Sequence, residues 1–267
     1  MNDHDGQGRT ASRVAGIASA VTIAGMIATP LVAQGGRAPR VLSSVVVVGS
    51  FAATSANAAR RWGGRRAALA GGTTAVATTA VERVGTLTGV PFGRYAYSAA
   101  LKPQIAHVPA IVPLAWFAMG LPARETAHAA LGPRSTPVTR SLLGAAALTA
   151  WDLFLDPQMV GEGYWAWARR GAYRGIPFTN YLGWFVTGIG VMALLEVALP
   201  PAADAGDADG ALVGEYAYMG VMETVGFARY FRDPVVAVVG GLAMVPIAAA
   251  ATARKLTHHT RGVGGRG

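Results

Sequence analysis

Apolar residues occur along this chain in long blocks that are separated by short polar or glycine-rich segments. Each block approaches or reaches the roughly 20 residues that an α-helix needs to cross a lipid bilayer. The short, alternating strands of a membrane β-barrel are not evident in this pattern. The pattern therefore predicts helices over residues 14–34, 41–59, 67–81, 105–121, 138–155, 181–199, 211–227 and 235–253.

Composition places these helices in a membrane. The chain has 267 residues, of which 52% are hydrophobic and 14% are charged, whereas soluble domains contain about 25% charged residues. The first block is longer than the roughly 7–15 residues of a signal-peptide core, so we expect a membrane anchor there. We predict an all-α, polytopic integral membrane protein with seven or eight transmembrane helices and no strands.

The same pattern suggests a simple domain organisation. We expect one helical membrane domain over residues 13–256. A flexible cytoplasmic N-terminus is predicted at residues 1–12, and a flexible basic tail at residues 257–267.

The formal net charge of +9 comes mostly from arginines that lie between the apolar blocks, including residues 60–66. This distribution is typical of cytoplasmic flanks in membrane proteins, and it argues against a nucleic-acid-binding domain. The acidic loop at residues 200–210 is predicted to face outside. The basic tail is predicted to be cytoplasmic, so an odd number of membrane crossings is required between it and the acidic loop. Two apolar blocks separate them, which conflicts with this requirement. Either one segment is re-entrant or the tail departs from the charge rule.

The chain has no cysteine, which excludes disulfides, zinc–cysteine sites and iron–sulfur clusters. Its histidines show no metal-binding spacing, and no nucleotide-binding glycine motif follows a strand. We expect neither a metal nor an organic cofactor.

Two carboxylates end the fifth apolar block. Asp152 and Asp156 are four residues apart, so they share one helix face. Each costs about 2.5–3.5 kcal/mol at the centre of a bilayer, which indicates a functional site. Pro157 is predicted to end this helix. Glu82, at the end of the third block, is either a third member of the site or a partner of Arg83.

Two connecting stretches, residues 86–97 and 163–184, are rich in aromatic residues, glycine and proline. One interpretation is an aromatic belt at the membrane surface. The crowding beside the paired acids also favours a cavity wall. Candidate binding residues in and near these stretches are Tyr95, Tyr97, Trp151, Tyr164, Trp165, Trp167, Asn180, Tyr181 and Trp184.

Four ordered motifs lie between residues 82 and 184. They are Glu82-x-x-Gly85-x-x-Thr88-Gly89-x-Pro91-Phe92-Gly93-x-Tyr95-x-Tyr97, then Val108-Pro109-x-x-x-Pro113-Leu114-x-Trp116, residues 151–159 (WDLFLDPQM), and Gly175-Ile176-Pro177-x-x-Asn180-Tyr181-x-Gly183-Trp184. Together they resemble the bacterial and archaeal carotenoid biosynthesis membrane family, which includes γ-carotene 1′,2′-hydratases and bisanhydrobacterioruberin hydratases. The apolar helices on either side of this region resemble those of the family only in their general character and not in specific motifs.

This resemblance implies a hydratase that adds water across the C1,C2 double bond of an acyclic (ψ) end group and forms a tertiary alcohol. A buried carboxylic acid stays protonated and serves as the proton donor. Asp152 or Asp156 is the expected acid, Glu82 completes the cluster, and aromatic faces stabilise the cation. The implied partners are a carotenoid in the bilayer, water, membrane lipids and other carotenoid-pathway enzymes. The implied location is the plasma membrane, crossed several times.

Two other function classes remain open from the residues. In an intramembrane prenyltransferase, the aspartates would hold Mg²⁺ and a diphosphate, with Arg169, Arg170 and Arg174 binding the anion. In a transporter or a pigment- or lipid-binding protein, the intramembrane acids would be proton or ion sites.

Overall fold

A computed structural model describes residues 2–33 and 36–264. Within these residues the chain forms eight α-helices, and the predicted all-α class is confirmed. They are α1 (Asn2–Ala28), α2 (Arg37–Trp62), α3 (Gly64–Thr88), α4 (Ile111–Leu131), α5 (Pro137–Gly161), α6 (Phe178–Ala198), α7 (Gly210–Arg229) and α8 (Pro234–Gly264).

The predicted count of seven or eight transmembrane helices is not confirmed. In the described residues, five helices are long and apolar enough to cross a membrane: Gly8–Leu31, Arg37–Trp62, Pro137–Gly161, Phe178–Ala198 and Pro234–Thr260. The other three helices, α3, α4 and α7, do not meet this measure of length and hydropathy. In α4, for example, Arg124, Glu125 and His128 are all buried, so these polar groups face neighbouring helices and not lipid.

Both predicted flexible ends overlap with helices. The α1 helix begins at Asn2, and α8 continues to Gly264. Residues 1 and 265–267 lie outside the described part of the chain. The flexibility of segments 1–12 and 257–267 stays a prediction.

Four short strands, which the apolar pattern did not predict, lie in the connecting segments. Strand β1 (Tyr95–Tyr97) pairs antiparallel with β4 (Trp165–Trp167), and β2 (Gln104–Ile105) pairs with β3 (Val108–Pro109). The prediction of no strands is therefore wrong. These strands have two or three residues each, too few to show an alternating pattern within an apolar block.

The acidic loop lies against the basic segment at residues 60–66, which spans the end of α2 and the start of α3. Arg60 contacts the Asp209 carboxylate at 2.5 Å, and Arg61 donates a hydrogen bond of 2.8 Å to the carbonyl of Asp207. Lys255, near the end of α8, donates to the carbonyl of Gly206 at 3.0 Å. The acidic loop, the basic segment and the end of α8 thus share one end of the bundle. The prediction that they face opposite sides is wrong, and the parity conflict disappears.

The acidic side chains of this loop already have structural roles, which explains the error. Asp209 caps the start of α7 by accepting a hydrogen bond of 2.9 Å from the backbone of Ala211. Such a cap satisfies one of the free N–H groups of a helix N-terminus. Helix capping and arginine contacts stabilise these negative charges. Their presence therefore does not indicate on which side of the membrane the loop lies.

A fully buried ion pair joins three helices at this end. Arg124 of α4 donates to Glu125 at 2.8 Å and to the carbonyl of Leu195, near the end of α6, at 2.7 Å. Glu125 accepts a hydrogen bond of 2.7 Å from the backbone of Asp209, at the start of α7. Both side chains are 0% exposed. The pair therefore fixes the positions of α6 and α7 relative to α4.

We predict that Arg124→Met destabilises the fold by about 3–5 kcal/mol, because the Glu125 charge would remain buried without its partner. Thermal unfolding in detergent measures the change. Arg134→Met is the matched control, since Arg134 is exposed, and the double variant Arg124→Met/Glu125→Leu should recover part of the loss. An unfolding temperature of Arg124→Met equal to that of the control would contradict this role.

Candidate active site

Aromatic side chains from two distant segments are aligned by the small β1–β4 sheet. Tyr95 pairs with Trp167, and Tyr97 pairs with Trp165. Because side chains alternate between the faces of a strand, these four point to one face of the sheet. Ala96, at the centre of β1, points to the other face and is exposed. The sheet therefore presents an aromatic wall toward the helices.

Glu82, in the last two turns of α3, lies against this wall. Its Oε2 accepts hydrogen bonds from the hydroxyls of Tyr95 and of Tyr97, the latter at 2.8 Å. Its Oε1 accepts a bond of 3.1 Å from the indole nitrogen of Trp116 on α4. Glu82 thus bonds three neutral aromatic donors and not its neighbour Arg83. Burial is the larger effect and raises the pKa of the Glu82 carboxyl group above its usual value, while the three hydrogen bonds favour its ionised form and limit that rise.

The two tyrosines stay protonated in this arrangement. Burial raises the pKa of the Tyr95 hydroxyl above its usual range, and the nearby Glu82 charge raises it further. The pKa of Tyr97 is raised for the same two reasons, burial being the larger. Both hydroxyls therefore remain hydrogen-bond donors to Glu82 across the physiological pH range.

Asp152 and Asp156 meet at a single amide group. The Nδ2 atom of Asn180, in the first turn of α6, donates to Asp152 Oδ2 at 2.9 Å and also to Asp156 Oδ2. Trp165 donates from its indole nitrogen to Asp156 Oδ1 at 3.0 Å. The two aspartates are 0% and 2% exposed. The shared face expected from their spacing is thus observed, and Asn180 has a bridging position.

One oxygen of this pair has no partner. Asp152 Oδ1 is buried and makes no hydrogen bond within the described residues. A buried carboxyl oxygen without a donor is costly when the group is charged. The Asp152–Asp156 pair is therefore more stable when it holds a proton.

The α5 helix continues past Pro157 and ends at Gly161, so the prediction that Pro157 ends the helix is wrong. Proline has no N–H group and leaves the carbonyl four residues earlier without its helical partner. That carbonyl belongs to Leu153, and it accepts a hydrogen bond of 2.9 Å from the hydroxyl of Tyr173. The side chain of Tyr173 replaces the missing donor. Asp156 consequently lies within the helix and not at its mouth.

The carboxyl groups border a cavity with about 530 Å³ of space between atoms, a volume that includes open solvent. Glu82 and Asp156 line it from different helices, whereas Asp152 lies behind Asp156 and does not reach it. No described residue on the cavity wall is Lys, Arg or His. The other polar or aromatic lining residues are Tyr95, Tyr97, Trp165, Trp167, Asn180 and Trp184.

The remaining predicted binding residues lie elsewhere. Trp151 lines a neighbouring cavity and contacts Trp184 edge-on, with ring centroids 6.2 Å apart. Tyr164 is buried in a small cluster with Trp165, and Tyr181 packs on Tyr173. Neither Tyr164 nor Tyr181 lines the carboxylate cavity.

Trp116 is a site residue that we did not single out as a candidate. It stacks on Trp184 with centroids 4.0 Å apart, besides its bond to Glu82. A fully buried tryptophan needs an acceptor for its indole N–H. The signal available in the sequence was therefore a tryptophan within an apolar helix, because its indole N–H needs an acceptor such as the Glu82 carboxylate.

Close packing of glycines positions the aromatic segment. A Cβ atom on Gly183 of α6 would lie 2.7 Å from the ring of Phe92 and 2.8 Å from the carbonyl of Pro91. Gly89 ends α3 with a φ of +85°, a conformation that glycine adopts most easily. The segment after α3 can therefore turn sharply and press against α6, which brings Tyr95 and Tyr97 to Glu82.

The described residues contain no group of three or more His, Cys, Asp or Glu side chains that could hold a metal ion. The guanidinium group of Arg174, which the prenyltransferase interpretation assigned to a diphosphate, contacts Asp233 at 2.5 Å.

Comparison with known proteins gives two matches. The family described as "Carotenoid biosynthesis protein" matches residues 42–247, which is most of the chain. The bisanhydrobacterioruberin hydratase of Haloarcula japonica is 34% identical over 118 residues, covering 43% of this chain and 40% of the relative. The matched region thus spans about two fifths of that relative's length. No solved structure matches significantly.

The family match runs from early α2 into α8 and so includes every residue of the carboxylate cavity. Since it covers well over half of the sequence, the chain belongs to the carotenoid biosynthesis protein family.

Proposed function

We propose that this protein is a carotenoid hydratase. It adds water across the C1,C2 double bond of an acyclic end group and forms a tertiary alcohol. The observation that carries this proposal is that two buried carboxyl groups, those of Glu82 and Asp156, border an aromatic cavity that has no basic side chain among its described lining residues. Family membership and the name of the Haloarcula japonica relative support the substrate class.

Asp156 is the proton donor in this proposal. It faces the cavity, while Asp152 lies behind it and is joined to it through Asn180. Two charged carboxylates in one apolar site repel each other and lose their hydration, so a pair that shares one proton is favoured. A neutral carboxyl group held away from bulk water can then protonate an alkene carbon. Asp152 acts as a positioning residue that keeps the proton in the pair.

The aromatic wall and Glu82 stabilise the positive charge that follows. Protonation of C2 leaves a tertiary cation at C1. An aromatic face stabilises a cation by about 0.5–2 kcal/mol. The cavity lining supplies such faces from Tyr95 and Trp167 of the aromatic wall and from Trp184 of α6. The Glu82 carboxylate faces the same cavity and adds electrostatic attraction, which is stronger away from water.

The step is balanced in atoms and charge. The π electrons of the alkene form the new C2–H bond with the Asp156 proton, and a lone pair of water forms the C1–O bond. The oxonium then transfers one proton to the Glu82 carboxylate. Return of that proton to the Asp152–Asp156 pair restores the starting state, with one water consumed.

The setting of the reaction follows from the solubility of its substrate. A carotenoid dissolves in the bilayer, and five helices in the described residues are suited to crossing one. We propose the plasma membrane as the location, with lipids, water and neighbouring carotenoid-pathway enzymes as partners. The catalytic machinery lies in the motif core, residues 82–184, of a single membrane domain over residues 13–256.

Expression of the chain in a host that accumulates lycopene or γ-carotene tests the function directly. We expect a pigment that is heavier by one water, with ¹⁸O incorporated when extracts are incubated in H₂¹⁸O. The reaction should continue in EDTA. An unchanged pigment would indicate binding alone, and a Mg²⁺ requirement with diphosphate release would favour a prenyltransferase.

We predict that Asp156→Asn lowers the hydration rate by about 10²–10⁴-fold, the usual contribution of a positioned acid. Asp152→Asn should lower it less, because Asp152 acts through Asp156. Asp207→Asn is the matched control, since Asp207 is exposed in the acidic loop. Initial rates in isolated membranes give the comparison. Wild-type rates for Asp156→Asn, or a larger loss for Asp152→Asn, would reverse the assignment.

Tyr97→Phe tests the role of Glu82. Loss of one donor to a buried carboxylate costs about 1–3 kcal/mol, so we expect the rate to fall by roughly 5–150-fold at about 1.4 kcal/mol per factor of ten. Tyr230→Phe is the control, because Tyr230 is 51% exposed. The same initial-rate assay applies. If both variants keep the wild-type rate, Glu82 does not need this donor for catalysis.

A further inference from the structure

A second cavity lies next to the carboxylate cavity, between the first two helices and the helices α4, α5 and α7. It has about 780 Å³ of space between atoms, a volume that includes open solvent, and its wall is mostly apolar. Glu223 is the one ionisable side chain among its described lining residues. Five of the lining residues are methionines: Met26, Met119, Met159, Met219 and Met222. Methionine side chains are flexible and polarisable, so they adapt to ligands of irregular shape.

The two cavities share one wall. Five residues from α2, α4 and α5 line both of them: Val47, Ile111, Ala115, Leu155 and Met159. A ligand whose end lies beside Asp156 would reach the second cavity across these residues. A ligand no larger than the end group would occupy the first cavity alone.

Small side chains lie at and beside the shared wall. Ala115 lines both cavities and Ala118, one turn further along α4, lines the second. Trp151 of α5 borders the second cavity and contacts Trp184, which borders the first. The shared wall is thus apolar and has indole rings beside it, and such surroundings suit a flat conjugated chain.

We propose that the methionine-lined cavity holds the conjugated chain of the substrate while its unsaturated end group lies beside Asp156. This inference rests on the proposed function and adds a length requirement to it. The protein selects long polyenes, because a short alkene with the same end group leaves the second cavity empty and loses the burial of its chain, at about 25 cal/mol per Å² of apolar surface.

Met222→Trp tests this inference, because a larger side chain at that position fills the second cavity. The matched control is Val221→Trp on the same helix, since Val221 is 52% exposed and lines neither cavity. Ala118→Leu is a second blocking variant, and thermal unfolding in detergent selects variants that remain folded.

The first measurement is retention of lycopene by purified protein, read from its visible absorption, in an Asp156→Asn background. We expect Met222→Trp and Ala118→Leu to reduce retention by about tenfold or more, as overpacking by 1–3 kcal/mol implies. Val221→Trp should retain the pigment. Because no turnover is needed, loss of retention supports the inference even if hydration fails. Equal retention by all folded variants would overturn it.

The second measurement compares hydration of lycopene with that of a short acyclic terpene carrying the same end group, both with Asp156 present. The blocking variants should lower the ratio of long-substrate to short-substrate kcat/KM by about tenfold. An unchanged ratio would overturn the length requirement, whether both rates fall together or both stay the same.

Discussion

Three carboxyl groups buried in an apolar helix bundle are the constraint on which the site depends. Glu82, Asp152 and Asp156 are each at most 4% exposed, and no described lining residue of their cavity is basic. They must therefore be satisfied by neutral donors. This requirement explains why Asn180, in the first turn of α6, lies beside the aspartates. It also explains why two aromatic segments fold back over the ends of α3 and α5.

The donors are distributed unequally, and this inequality gives the site its chemical asymmetry. Glu82 receives three hydrogen bonds, which favour its anion more than burial alone would allow. The aspartate pair shares one amide nitrogen, and Asp152 Oδ1 has no donor within the described residues. One side of the cavity thus favours a negative charge and the other favours a bound proton. Addition of water to an alkene uses both.

The two ends of the bundle have different roles. The end with the acidic loop is held by Arg60, Arg124 and their carboxylate partners. Glu82 lies 18 residues into α3 from Gly64, about 27 Å away at about 1.5 Å per residue. The charged network is therefore remote from the cavity. It fixes α4, α6 and α7 relative to one another without placing a cation beside the acids.

The sequence predicted the helices well, because long apolar blocks are a direct consequence of membrane thickness. The four-residue spacing of the aspartates also predicted their shared face. Other features depend on contacts between distant segments. Tyr173 rescues the carbonyl left by Pro157, and the pairing of residues 95–97 with 165–167 forms the sheet. The alternating aromatic residues of those two segments were the one local sign of strands. The side of the acidic loop was mispredicted because its charges cap a helix and pair with arginine.

The central claim is that a carboxylic acid of this protein protonates carbon. Turnover of lycopene or γ-carotene in D₂O measures that step, because a proton transferred to C2 becomes a non-exchangeable deuterium in the product. We expect one deuterium on the carbon next to the new tertiary alcohol, and we expect Asp156→Asn to slow its incorporation by about 10²–10⁴-fold. A hydroxylated product without deuterium at that carbon would contradict the account.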